Sequence, residues 1–336
     1  MSRPLTTRRG ASLVAAAAVV LAAVGCAGDA ATEAATVALP ANAATKAAGT
    51  TAMAGTGTKA VGTTATAGTG ASGSPSAAPS QTPAGPSGQP MPVGDIPGWH
   101  QIFADDFLTD VPVGGFSGCD PVRRICSGLP SDVASKWWAY PDGWPDTDQQ
   151  GIYTPSKTIS ISDGMMRLDL HTENGVHMVA APLPKIPGAS GSEGGQVYGR
   201  YAIRFLVEQP TPGYKVAWLL WPDSENFPED GEIDFPEGNL VGVINAYMHH
   251  MNGTSDMDQD AYQTSVRISS GWHTAVIEWT AQAVDFLLDG ATIGTSTSRV
   301  PSTPMHWVIQ SETDGVTPDS STAVILIDWV AIYRPD

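Results

Sequence analysis

Glu232-Ile233-Asp234-Phe235-Pro236-Glu237 sets three carboxylates in one short apolar run. Side chains alternate along a strand, so Glu232 and Asp234 share a face. Glu237 falls on the other face unless the strand carries one extra residue. Pro236 marks where that residue sits, because proline cannot donate to a ladder and is tolerated at edges and bulges, and a bulge re-aims the side chain that follows it. With a bulge at Phe235-Pro236, all three acids project into one groove. Two carboxylates about 5–5.5 Å apart are the nucleophile and acid/base of retaining glycoside hydrolysis. A solvated acidic edge strand is the other reading of these six residues, and the flanks arbitrate.

Outward from the acids, short alternating runs dominate: 196–207, 214–220, 231–235, 243–249, 272–279, 284–288 and 324–333. Each is bounded by Gly, Pro, Asp or Asn, and no stretch has a 3.6-residue period. This predicts an all-β domain of two antiparallel sheets packed face to face.

The chain divides by composition into residues 1–26, 27–95 and 96–336. Arg8 and Arg9 precede an apolar stretch, Ala11 to Gly25, that is too short to span a bilayer and suits a signal peptide. From Ala27 to about Val93 there is no Trp, Phe or Tyr, so this stretch reads as a disordered linker, stiffer toward its proline-rich end. All ten tryptophans lie in 96–336, which carries 12 basic and 31 acidic side chains. That balance argues against nucleic acid, whose phosphates need a basic footprint, disfavours polyanionic polysaccharides and suits neutral ones. Cys119 and Cys126 lie seven apart in a Gly- and Pro-rich loop, and outside the cytoplasm they are expected to form a disulfide.

Five stretches around the acids carry a resemblance. They are Tyr198-Gly199-Arg200-Tyr201 through Arg204; Ala217-Trp218-Leu219-Leu220-Trp221-Pro222; Trp272-His273-Thr274; Glu278-Trp279-Thr280 with Asp289-Gly290; and Ile327 to Tyr333. In this order around an intact acid triplet they resemble glycoside hydrolase family 16, in its laminarinase-like, endo-β-1,3(4)-glucanase branch. Ala23-Val24-Gly25-Cys26 similarly resembles a bacterial lipobox, with Cys26 lipidated.

The family resemblance implies a concanavalin A-like β-jelly roll whose concave face is the substrate cleft. It implies Glu232 as nucleophile, Glu237 as acid/base and Asp234 as their tuner. Aromatic faces match the C–H faces of sugars, so Trp218 and Trp221 are the first candidates for subsite platforms. The early cluster Trp137, Trp138, Tyr140 and Trp144 is second, represented by Trp138. Trp279 and Trp329 read as core. By resemblance Arg204 reaches sugar hydroxyls, His249 lies on the cleft sheet with His250 facing away, Gln310 supplies an amide near the acids, and His273 serves the fold. A structural Ca²⁺ would be held by Asp106, the Gly164 carbonyl and Asp328, oxygen ligands that suit it; catalysis needs no cofactor.

The sequence departs from the family pattern at Pro155-Ser156-Lys157, where an Asn contacting sugar is usual, and at Ala202, where Glu is usual. The expectation is therefore a retaining endo-hydrolase of neutral β-glucan with β-1,3 or mixed β-1,3/1,4 linkages. It would be extracellular or on the cell surface, monomeric, and bound to membrane only through a lipid anchor. A transglycosylase using the same residues and a non-catalytic lectin-like sandwich are the alternatives.

Overall fold

The computed structural model describes residues 85–336. The expected signal segment, with Arg8, Arg9 and Cys26, and most of the expected linker lie outside those residues. The larger of the two main sheets has ten strands. Its path runs Ala291–Ser296, Val284–Leu288, His273–Trp279, Gly199–Gln209, Ala323–Pro335, Met165–Glu173, Val176–Val179 and Gly151–Tyr153. Trp99–Asp105 joins it on Ala323–Pro335, and Ile159–Ser162 joins it on Met165–Glu173. The smaller sheet has five strands in the order Gln259–Arg267, Val243–His249, Glu232–Asn239, Tyr214–Pro222 and Met305–Thr313. Pairing is antiparallel throughout the five-stranded sheet. This is the all-β, two-sheet jelly roll expected.

The expected runs 243–249 and 284–288 match their strands, while the acid run continues past the expected residue 235 to Asn239. Two short helices, Ser131–Lys136 and Pro155–Thr158, escaped the periodicity reading because a turn or so of helix has no period to show. The second contains the departure at Pro155-Ser156-Lys157; its proline occupies the first turn, where a missing N–H costs nothing.

The core lies between the sheets and follows from alternation. Tyr201, Ile203 and Phe205 point inward from the larger sheet, and Val216, Trp218, Leu220, Ile233 and Phe235 from the smaller, all but inaccessible to water. Edge-on aromatic pairs bridge the gap: Phe205 with Trp218 at 4.9 Å, Tyr201 with Trp307 at 5.4 Å and Phe235 with Phe286 at 5.6 Å between centroids. Each such pair contributes about 0.5–1.5 kcal/mol beyond the burial of its area.

Packing begins earlier than the boundary expected after residue 95. The Ser87 amide donates to Asp328 Oδ2 (3.2 Å), Trp329 Nε1 donates to the Gln89 carbonyl (3.3 Å), and Gln101 Nε2 donates to the Pro92 carbonyl (2.8 Å). Residues 85–95 thus form a strap on the outer face of the larger sheet. Trp329 is buried there, against Ala202, Val276 and Met91, rather than between the sheets. Cys119 and Cys126 are disulfide-bonded and close the small hairpin formed by Cys119–Asp120 and Ile125–Cys126.

Candidate active site

The pairing register shows the bulge directly. Asp234 lies opposite Leu219 and Tyr247, and Glu237 lies opposite Ala217 and Asn245. Each neighbouring strand advances two residues while the acid strand advances three, so Phe235-Pro236 carries the extra residue. Phe235 turns into the core and packs against Phe286. Glu237 therefore returns to the face of Glu232 and Asp234, away from the core.

Residues directly opposite one another on antiparallel strands share a face, which extends the site across the sheet. Ala217, Leu219 and Trp221 join it from Tyr214–Pro222. Opposite them on Met305–Thr313 stand Gln310, Val308 and His306. His249 lies opposite Glu232, its Nε2 3.3 Å from Asp234 Oδ2 and 3.9 Å from Glu232 Oε2. The His249 ring meets Phe227 edge-on at 5.4 Å, and Phe227 packs against Trp221 at 5.4 Å. The Trp221 indole N–H donates to Glu225 Oε2 at 3.0 Å. His250 faces away and pairs with Asp258 at 2.9 Å.

Crowding and burial control the protons here. Burial raises the Glu232 carboxyl well above the usual carboxylate range; the charge of Asp234, a hydrogen bond with it, and the charges of Glu237 and Glu312 push the same way. Glu237 is pushed up to about 8, first by burial and then by Asp234, with Glu312 adding to the rise and Lys215 opposing it. A carboxylic acid that stays protonated near neutral pH can give a proton to a leaving group.

Several expected contacts differ. Trp218 is not a platform: it is wholly buried with its ring edge-on to Phe205. Trp218 and Trp221 are three residues apart, and a regular strand cannot show both on one face. Arg204 is not in the cleft. It stands on the larger sheet between the inward-facing Ile203 and Phe205, and so points outward. There its guanidinium donates to Ser87 Oγ and Thr274 Oγ1, both at 3.2 Å, and lies over the Trp272 ring. Trp138 is 5 % exposed and stands edge-on to Tyr140, with ring centroids 6.0 Å apart.

Asp106, Gly164 and Asp328 lie around the strap, whose Pro86 approaches Gly164 and whose Ser87 amide donates to Asp328. A Cβ on Gly164 would lie 3.8 Å from the Asp106 carbonyl oxygen. Burial raises the Asp328 carboxyl, and the charge of Asp106 adds to that rise. Two repelling carboxylates beside carbonyl oxygen are a donor set that fits a hard cation. Glu232, Asp234 and His249 also bring ligand atoms within 4.8 Å of one another, but these are the acids that glycoside chemistry uses, and no step below involves an ion.

Other groups in the site escaped the sequence reading. Glu312 is buried and accepts from Tyr153 Oη (2.5 Å), Thr147 Oγ1 (2.8 Å) and the Thr147 amide (3.0 Å). Lys215 lies opposite both Glu312 and Asn239. Alternation from Gln310 and Ala217 pointed to both residues, once the facing parity was known. Tyr140 is raised by burial, with Glu225, Glu312 and Glu232 among the charges that add to the rise. A cavity of about 590 Å³, lined by Arg204, Trp272 and Trp329 among others, lies on the outer face of the larger sheet, away from the acids.

Solved structures share this architecture. A laminarinase from Rhodothermus marinus superposes with a TM-score of 0.54 at 19 % identity, covering 71 % of this chain and 98 % of its own. SCLam, a non-specific endo-β-1,3(4)-glucanase, gives 0.55 at 16 % identity over 76 % of this chain and 99 % of its own. A structure from work on endo-acting O-glycanases that human gut bacteria use to initiate mucin breakdown gives 0.55 at 20 %, over 73 % and 94 %. No curated protein matches the sequence. Glycosyl hydrolases family 16 matches residues 147–331, more than half of the chain. With the bulged acid strand at the centre of that span, the chain belongs to glycosyl hydrolase family 16, whose members hydrolyse glycosidic bonds with a typically retaining mechanism.

Proposed function

We propose that the protein is an endo-acting hydrolase of neutral β-glucan, with β-1,3 or mixed β-1,3/1,4 linkages, working by double displacement. The observation that carries this reading is the bulge that returns Glu237 to the face of Glu232 and Asp234. Glu232 attacks the anomeric carbon while the glycosidic C–O bond breaks and Glu237 gives its proton to the departing oxygen. Water then attacks the glycosyl ester, Glu237 takes the water's proton, and Glu232 leaves as carboxylate. Glu232 must be ionised to attack. Asp234, hydrogen-bonded to Glu232 and with Oδ2 3.3 Å from His249 Nε2, stands beside the nucleophile to orient it. Three crowded acids that repel one another, two of them buried, have no use in a lectin. Trp221 and Gln310 are the sugar contacts this reading retains.

Neutral glucan is favoured over a charged polymer by the acidity of residues 96–336 and by the carboxylates lining the site. A reducing-sugar assay over β-1,3-glucan, mixed-linkage glucan, galactan, xyloglucan and mucin O-glycan tests the substrate. Release confined to the first two is expected, and release from mucin or galactan alone would overturn the glucan reading. ¹H NMR of the first product should show the β-anomer; initial α-anomer would overturn retention.

Export, a lipid on Cys26 and a monomeric state belong to the same proposal, supported by the character of residues 1–26 and by the disulfide. So does a structural Ca²⁺ at Asp106, Gly164 and Asp328. Chelation should then lower the melting temperature by a few degrees, reversibly with added Ca²⁺ and with no direct effect on turnover at low temperature. An unchanged melting curve in chelator would remove the ion from the reading.

A further inference from the structure

Lys215 occupies an unusual position. Among the described residues that face the acids, it is the one permanently cationic side chain that acts on Glu237. It sits two positions before Ala217, the residue opposite Glu237, on the same face of the sheet. Its Nζ lies 3.6 Å from Asp148 Oδ2 and 3.8 Å from Glu312 Oε2. Both distances exceed a tight ammonium–carboxylate hydrogen bond, so neither acid captures the charge alone. Glu312 is fixed from the other side by Tyr153 and Thr147. Lys215 is therefore held beside the acid/base by a pair of anchored acids.

We infer that Lys215 and Glu312 are a pair of positioning residues of opposite sign that together set the charge balance around Glu237. This rests on Glu237 being the acid/base. The groups that face Glu237 divide by element. Its own strand contributes Glu232 and Asp234. Val243–His249 contributes Tyr247, His249 and the neutral Asn245. Tyr214–Pro222 contributes Lys215, Met305–Thr313 contributes Glu312, and the loop around residue 148 contributes Asp148. Every carboxylate in that set favours the protonated acid/base, and Lys215 favours its anion. An acid/base has to release its proton in the first step and take one in the second. A site made of acids alone would hold the proton too tightly, and a fully compensated site would lose it too early. Lys215 keeps the group between those limits, and Glu312 stops Lys215 from over-correcting.

The signs give the test. Replacing Lys215 by Met removes the attraction for the anion, so Glu237 keeps its proton to higher pH. The alkaline limb of kcat/KM should move up by about half to one pH unit, a nearby opposite charge being worth one or more units when fully felt and Glu312 taking up part of the change. Glu312→Gln removes a repelling charge and should move the limb down by a similar amount. Lys215→Arg should hold it near its original place. ¹³C NMR of the glutamate carboxyls, with Glu237→Gln to assign the signal, reads the same titration without substrate. Opposite displacements in the two variants, seen in both readouts, support the inference. A Lys215→Met limb and carboxyl titration that stay put, while Glu237→Gln is inactive, would overturn this inference and leave the acid/base reading intact. An active Glu237→Gln with an unmoved limb would overturn both. If Lys215→Met does not fold, Glu312→Gln decides alone, and a limb that stays or rises in it overturns the inference.

Discussion

Glu232→Gln should fold and lose on the order of 10⁴–10⁶ in turnover, the range seen when a covalent nucleophile is removed. The amide keeps the shape of the side chain and cannot form the glycosyl ester. No neighbour substitutes for it, because Glu237 serves as the proton donor and Asp234 is engaged with Glu232 and His249. The same variant should be at least as heat-stable as the wild type, by more as pH rises. Burial raises the folded-state Glu232 carboxyl above its unfolded value. A group shifted in that direction contributes stability that is complete below the ordinary carboxylate range and lost as pH climbs through the raised folded value. Glutamine has no proton to lose and escapes that decline. Turnover within tenfold of wild type would refute the nucleophile assignment. A melting temperature that falls below wild type at alkaline pH would refute the electrostatic account of the site.

Trp218→Ala should cost about 3–5 kcal/mol of stability, the usual penalty for truncating a buried large aromatic. For a domain of this size that lowers the melting temperature by about 10 °C or more. The indole fills the space between the sheets against Phe205, with ring centroids 4.9 Å apart and no exposure to water. Affinity for glucan, measured well below the melting point, should change little, because the ring faces away from the acids. Trp221→Ala should show the reverse, with weaker binding and a smaller stability loss, since Trp221 shares the acid face. A Trp218→Ala protein with wild-type stability and lost binding would restore the platform reading.

The two tryptophans show where the sequence stops being legible. Both were expected as platforms, yet their spacing of three allows only one to face the acids, and does not say which. The answer depended on the phase of Tyr214–Pro222 relative to Glu232–Asn239. That phase comes from the pairing of Ala217 with Glu237 and of Leu219 with Asp234. Arg204 illustrates a second limit. The apolar alternation of Tyr201, Ile203 and Phe205 showed that it points away from the core, but which sheet carries it was a matter of topology. The strap at 85–95 is a third. A segment mostly of Gly, Pro, Ser and Gln, with Met91 and Val93, lacks the apolar bulk to order itself, and it is held because Asp328, Trp329 and Gln101 meet its backbone and Met91 packs on Trp329.

The sequence by itself determined the all-β class, because period-2 alternation bounded by turn residues is local. It determined the acid triplet and its bulge, because a proline and three carboxylates in six residues leave few ways to reach one groove. It also determined the cysteine pair, because both thiols lie in one short loop. Only the tertiary structure decided which Trp lines the cleft, that Arg204 belongs to the outer face, and that Lys215 and Glu312 stand beside Glu237. Those facts depend on how separate strands pair, and a one-residue change in register turns a strand's side chains to the other face.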